Sequence, residues 1–380
     1  MSGSAALARR VRITRRAASR VLARTPLDGP VRQEVLPRVR DALGSSERAE
    51  GSQWDMIEVE VREALSGDGP VVVGPWLSEL GFEVLYWIPF LNWLVERYGV
   101  PPERLVAISR GGVGAWYGHL AHRYLELFDA MSPAEFRRLS EARWASGGGQ
   151  KQLEYGRFDR QAIEAVGIRT KRRPVGVLHP SLMYRVLARY WREATPVGQV
   201  LDRTRHLRFR VPSVPLVADR LPQGDYVAMK FYFRPSLPDD AQNRRAATEL
   251  IRRMADRLPV VLLNTGLEVD DHQELAIDDE VASGRVVPIL DGVSPAQNLA
   301  AQSVAIAGAK AFFGTYGGLS YLAPAYGTES FAFHSVPEHF VRPHLDLARR
   351  AASRTGGSLT LIDLHRPVAL HLLEGWSAAE

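Results

Sequence analysis

The chain has 380 residues, enough for two domains of ordinary size, and its 46% hydrophobic and 24% charged content is that of a soluble globular protein. It has no cysteine, which excludes disulfides, thiolate metal sites and a cysteine nucleophile. A formal charge of +5 is too mild to demand nucleic acid as a partner, though it favours anionic ligands.

The positive charge gathers at the start of the chain. Arg9, Arg10, Arg12, Arg15, Arg16, Arg20 and Arg24 come before any Asp or Glu, with Leu7, Val11, Ile13, Ala17, Val21 and Leu22 interleaved. Residues 1–50 therefore read either as a disordered basic tail or as a basic helix lying loosely on an anionic membrane surface. The segment lacks the continuous apolar core of a secretion signal, and no apolar run is long enough to span a bilayer. The expectation is a cytoplasmic protein whose contact with a membrane, if it has one, is peripheral.

Residues 54–65 suit a helix leading into a first domain, set at 51–206. Residues 70–74 (PVVVG) form a short buried strand that ends in the loop GPWLSELGFE. A long apolar helix follows, broken or kinked at Pro89 and ended by Gly99. Residues 105–109 form the next strand, ending in Arg110-Gly111-Gly112. Ser132-Pro133-Ala134-Glu135 has the form of a capping box and opens a helix to about Trp144. Gly147, Gly148 and Gly149 make a flexible break. Residues 175–178 give a third strand, ending at His179-Pro180-Ser181.

Across 207–223 the pattern loses its period and gains prolines, which marks an interdomain linker. The alternation of strand and helix restarts in a second domain, 224–380. Its strands fall at 226–231, 260–263, 286–290, 311–313, a run ending at His334, and 359–362, with helices at 246–258 and 368–373. A second capping box, Ser294-Pro295-Ala296-Gln297, opens another helix. Six strands separated by helices predict a doubly wound, Rossmann-like domain. With at least three strands of the same style before it, the fold class is α/β, two Rossmann-like domains facing across a cleft.

The stretch AFFGTYGGLSYLAPAYGTESFAFHS, 311–335, organises this second domain. Gly314, Thr315, Tyr316, Gly317 and Gly318 form a turn between strand and helix, with Ser320 in the first helical turn. Such a turn at a carboxyl edge, with a helix N-terminus and glycines, can seat a diphosphate. It can equally be a tight turn whose glycines only let helix and strand pack.

Polar residues gather at the other strand ends too. Lys230 closes an apolar strand, and Arg234 follows four residues later, so both are candidates for phosphate contact. Asn264, Thr265, Gly266, Asp291 and Asn298 are candidates for holding the nucleotide or sugar. In the first domain Glu79 and Glu83 lie four apart and His179 ends a strand, so these three are candidate general bases; plain helix-terminal charge is the alternative for the two glutamates. Trp76, Arg110 and Gly111 are candidates for the acceptor side, with Trp76, Tyr86, Trp87 and Trp116 as a sugar platform or simply as core. No His-x-x-x-His and no Asp-x-Asp occurs, and the doublets Asp239-Asp240, Asp270-Asp271 and Asp278-Asp279 read as loops or helix starts, so no metal is expected. Gly-x-x-x-x-Gly-Lys-Ser/Thr and, after the first strand, Gly-x-Gly-x-x-Gly are absent.

Lys230-Phe231-Tyr232-Phe233-Arg234, Asp291-Gly292 and GTYGGLSYLAPAYG, in that order, resemble the donor half of a glycosyltransferase of GT-B architecture, broadly the metal-independent bacterial fucosyltransferase and heptosyltransferase kind. GPWLSELGFEVLYW resembles the first loop and helix of such proteins. The fucosyltransferase His-x-Arg pattern is reduced here to Arg234. The resemblance implies transfer of a sugar from a nucleotide diphosphate sugar to a hydroxyl on a glycan, a lipid-linked molecule or a small molecule. It further implies inversion, no cofactor beyond the donor, and closure of the two domains over the reaction. An epimerase or hydrolase of nucleotide sugars on the same fold, or a binding protein without turnover, is the alternative.

Overall fold

The computed structural model describes residues 47–145, 151–168, 175–267, 273–276 and 285–366. The arginines from Arg9 to Arg24, the glycines 147–149, the doublets Asp270-Asp271 and Asp278-Asp279 and the helix expected at 368–373 lie outside them.

Two parallel sheets form the molecule. The first contains β1 (Val71–Val73), β2 (Leu105–Ser109), β3 (Arg123–Glu126) and β4 (Gly176–Leu178) in the order β3-β2-β1-β4. The second half adds β5 (Val227–Lys230), β6 (Tyr232–Phe233), β7 (Val260–Leu262), β8 (Gln273–Glu274), β9 (Val286–Pro288), β10 (Ala311–Thr315), β11 (Glu329–His334) and β12 (Ser358–Asp363). Six of these make a sheet in the order β12-β11-β10-β5-β7-β9, while β6 and β8 pair antiparallel as a small ribbon beside it. Counted along the chain, the six run 3-2-1-4-5-6 from the β9 edge, the order of a doubly wound sheet. The direction of winding reverses between β5 and β10, and in the first sheet between β1 and β4. Both are places where a doubly wound fold opens a crevice at the carboxyl ends of its strands. The expected two-sheet α/β class is what the chain adopts.

Local sequence explains most boundaries. β1 and β2 are wholly buried runs of β-branched and aliphatic residues. Ser132 caps the helix Pro133–Arg143 by accepting the Glu135 amide at 3.2 Å. Asp240, one of the aspartate doublets, caps Ala241–Ala255 by accepting from Gln242 and Asn243. Ser294 behaves differently from the expected capping box: its side chain makes no cap, and a 3-10 turn, Pro295–Gln297, leads into Asn298–Gly308.

Pro89 leaves the long helix unbroken. The irregularity falls just before it, as a π turn at Glu83–Trp87, and the helix Ile88–Tyr98 runs on to Gly99 in the left-handed region. Proline brings no N–H to the carbonyl of Leu85 four residues back. His206 donates to that carbonyl instead, at 3.1 Å, and Arg205 N–H donates to Pro89 O at 2.8 Å. Burial of His206 lowers its pKa to about 4, so the ring is the neutral donor this contact needs.

The two lobes share a core. One buried cluster contains Val73, Trp87 and Trp116 of the first lobe together with Ala228, Phe312 and Tyr326 of the second. Trp116 Nε1 donates to Tyr326 Oη at 2.6 Å, and its ring stacks on Phe209 at 5.6 Å. The helix Arg342–Thr355 reaches back to the first lobe, where His344 Nδ1 meets Tyr86 Oη at 2.5 Å and Pro343 O accepts from Tyr190. A second cluster fills the other face of the larger sheet, beneath Ala241–Ala255.

Candidate active site between the lobes

The carboxyl ends of the two sheets face each other. The loop after β1 brings Leu80 and Gly81 onto Gly318, where an added Cβ would lie 3.2 Å from both. The turn after β2 meets the segment after β9: Ala300 N–H donates to Gly111 O at 2.8 Å, and an added Cβ on Gly112 would lie 2.8 Å from Ala296 O. Gly111 and Gly112 both have positive φ, so this approach depends on glycine. Their amides donate to the Glu126 carboxylate at 2.9 and 2.7 Å. Gly111, expected beside the acceptor, is therefore a junction between lobes with its N–H already engaged.

The glycine turn after β10 is likewise filled by protein. Thr315 Oγ1 accepts from Tyr232 N–H at 3.0 Å and donates to Tyr232 O at 2.8 Å. Ser320 Oγ accepts from Gly317 N–H at 3.0 Å. A Cβ on Gly314 would run into Lys230 O, and one on Gly317 into Tyr232 Oη and Arg234 Nη1. Tyr316 is buried against Phe340. The expectation that Gly314, Gly317 and Gly318 leave room for a phosphate is thus corrected: their missing side chains make room for Lys230, Tyr232, Arg234, Leu80 and Gly81.

The cations stand on either side of the β5 end. Arg234 Nη1 donates to Tyr316 O at 3.3 Å, and its Nε is buried with no hydrogen-bond partner among the described residues. Burial works against the Arg234 charge, but Tyr232, Tyr321 and the Glu79 carboxylate of the first lobe outweigh it and raise its pKa. Lys230 forms the centre of a second cluster. Its Nζ lies 2.7 Å from Glu274 Oε1 and 3.3 Å from Gln302 Oε1, and Gln302 Nε2 donates to Asn298 Oδ1 at 3.0 Å. Glu274 also accepts from Thr265 N–H at 2.8 Å, Thr265 Oγ1 at 2.9 Å and Gly266 N–H at 3.1 Å. Asn264 Nδ2 donates to Leu275 O at 2.7 Å, and its buried Oδ1 has no partner among the described residues. Asp291 does not join this cluster: it is exposed, with its carbonyl accepting from Arg220.

Among the candidate bases only Glu79 faces the junction. It is half-buried and lies within electrostatic reach of Arg234 and Tyr184. Glu83 is fully buried inside the first lobe, where Oε1 accepts from Ser109 at 2.5 Å and Tyr117 at 2.6 Å. Loss of hydration raises its pKa to about 7, against the pull of Arg110 and the two hydroxyls. His179 has both ring nitrogens engaged: Nδ1 accepts from Ser181 N–H at 3.2 Å, which leaves Nε2 to donate to Asp159 Oδ1 at 3.0 Å. With no free lone pair it does not serve as a base. Gln152 completes the network by donating to Asp159 and to Pro75 O and accepting from Leu77 N–H, so the group fixes the loop that carries Glu79. Arg110 secures the same loop through Ser78 O at 2.8 Å.

Of the two readings of the aromatic residues, the structure bears out the core one. Trp76, Trp87 and Trp116 are fully buried and Tyr86 nearly so, with Trp76 stacked on Trp87 at 6.0 Å. They are core.

A cleft of about 370 Å³ opens between the lobes beside this region, lined by Pro133, Ala134, Arg137, Arg138 and Glu141 of the first lobe and by Gly266 and Leu267 of the second. Gly266 thus belongs both to the cleft wall and to the amides that hold Glu274. No group of His, Asp and Glu among the described residues is placed to hold a metal ion. No helix among them is long and apolar enough to cross a membrane. Sequence reasoning missed Glu274 and Gln302; only the i, i+4 spacing of Asn298 and Gln302 on one helix hinted at the latter.

No family model matches the chain, and no curated relative does. Solved structures with some likeness include a glycosyl transferase family 9 protein from Veillonella parvula, 12% identical over 82% of this chain and 90% of that one, TM-score 0.41. Another is the E. coli heptosyltransferase WaaC with ADP, 13% identical over 80% and 98%, TM-score 0.34. A third is a Listeria monocytogenes protein described as a UDP-N-acetylglucosamine 2-epimerase, 11% identical over 77% and 92%, TM-score 0.32. At these scores the likeness adds no weight, and the functional reading stands on the side chains at the lobe junction.

Proposed function

We propose that the chain is a glycosyltransferase that takes its sugar from a nucleotide diphosphate donor. One observation carries the reading: two parallel sheets meet at their carboxyl edges, and the winding reversal of the larger one bears two cations, Lys230 and Arg234, of which Arg234 lies within electrostatic reach of Glu79 in the first lobe. The donor would lie in the second lobe with its phosphates against these cations. Glu79 would take the proton of the acceptor hydroxyl as that oxygen bonds to the anomeric carbon. The bond from that carbon to the phosphate oxygen breaks, and the diphosphate leaves with the electron pair. Lys230 and Arg234 meet the charge that develops there. Inversion follows from attack opposite the leaving group. The reading assigns no cofactor beyond the donor, so turnover is expected to survive EDTA.

The test offers the purified full chain a panel of UDP-, GDP-, ADP- and dTDP-sugars, with and without hydroxyl acceptors, and measures diphosphate release and glycosylated product. Release coupled to product supports transfer. Donor conversion without an acceptor points instead to an epimerase or hydrolase, and saturable binding with no turnover to a binding protein.

A further inference from the structure

We propose that the Glu274 carboxylate occupies the seat of a phosphate group, and that a phosphorylated ligand binds there by displacing it. The inference rests on the nucleotide-sugar reading of the same site.

Two backbone amides, a hydroxyl and an ammonium converge on one point beyond the β5 and β7 ends. They belong to Thr265, Gly266 and Lys230, and all four donate within 3.1 Å of Glu274 oxygens. Consecutive amides beside a lysine are a general arrangement for holding phosphate oxygens. In this chain an internal carboxylate fills it. Burial pushes the Glu274 pKa up, but Lys230 and the Gly266 and Thr265 amides outweigh burial and hold it below its ordinary value, as a bound anion should be.

Glu274 belongs to a two-residue strand, β8, whose partner is the equally short β6, and the backbone anchor lies at the next residue, the buried Leu275, so the Glu274 side chain can move without the strand. Its side chain is 19% exposed, and Gly266 beside it lines the interlobe cleft, so an incoming anion has a direct approach. β6 leads straight to Arg234, so the ribbon links the two halves of the proposed diphosphate site. The terminal phosphate of pyrophosphate or of a released nucleoside diphosphate, with nearly two negative charges, competes well against one carboxylate for the same donors.

The experiment measures binding of inorganic pyrophosphate, UDP, GDP and ADP by calorimetry, for the wild-type chain and for Glu274→Gln and Glu274→Ala, with thermal unfolding to confirm that each is folded. Removing the competing charge is expected to tighten at least one of these ligands tenfold or more in both variants. Tightening for pyrophosphate and nucleotides alike places the recognition in the phosphate; tightening for one nucleotide only adds recognition of its base. Wild-type binding that is unchanged or weakened in the variants overturns the displacement, making Glu274 a strut, and leaves the nucleotide-sugar reading standing. Variants that do not fold make Glu274 a strut equally. No binding of any probe by any chain overturns both.

Discussion

The two winding reversals are built alike and filled differently. Between β1 and β4 the first lobe closes on itself: His179, Asp159 and Gln152 satisfy one another and the backbone of the loop after β1. Between β5 and β10 the second lobe brings two cations: Lys230, paired with the lobe's own carboxylate Glu274, and Arg234, whose buried Nε has no hydrogen-bond partner among the described residues. One topology thus gives a clamp that needs nothing further and a seat with charge to spare. The clamp fixes the loop that carries Glu79; on the proposed function, the seat would take the ligand.

Separating these roles starts with the largest expected effect. Glu79→Gln should lower turnover by about 10²–10⁴, the range of a lost general base, while diphosphate affinity stays within about threefold. Full activity with intact donor binding would place the base elsewhere. Asp159→Ala removes the centre of the clamp and should lower stability by about 3 kcal/mol in urea unfolding, with nucleotide affinity unchanged in the folded protein. An equal loss of affinity would erase the distinction between clamp and seat.

Glu83 tests the buried interior of the first lobe through pH. Its folded pKa of about 7 exceeds the ordinary 4.5, so the folded state holds the proton more tightly. Stability from this group is present below pH 4.5 and is lost as pH rises towards 7, about 2–3 kcal/mol between pH 5 and 8. Glu83→Gln should remove that part of the slope, whereas parallel stability profiles for the two proteins would show that Glu83 ionises freely. Finally, Arg234→Ala should weaken diphosphate binding by ~1.5–3 kcal/mol with little change in melting temperature. Unchanged affinity would exclude Arg234 from the seat.

The sequence carried the sheets better than the site. β2 matches its expected bounds because four buried apolar residues and Ser109 sit between polar turns, and all six strands of the larger sheet are readable in the same way. β3 is not, since an edge strand reading RYLE is half-exposed and charged. The helix Arg342–Thr355 buries a single large aliphatic residue, Leu347, beside three alanines, Pro343 and Thr355, which leaves a faint apolar stripe. Lys230 and Arg234 stood out because each breaks an apolar context at a strand end. Glu274 could not, for it lies among several acids, and only the pairing of β8 with β6 selects the one that folds back onto Thr265. The glycines and the tryptophans admitted two readings for a shared reason: residue type does not say whether a ligand or the protein itself will occupy the adjoining space.

The shared core limits how the molecule can breathe. A jaw-like opening would wet Trp116, Phe209, Tyr326, Phe82 and Tyr86, at roughly 2 kcal/mol for each large side chain. That exceeds the ~8 kcal/mol a micromolar ligand releases on binding. On the proposed function, a donor would then approach by the flank, along the cleft between Arg137 and Gly266, rather than through a parting of the lobes.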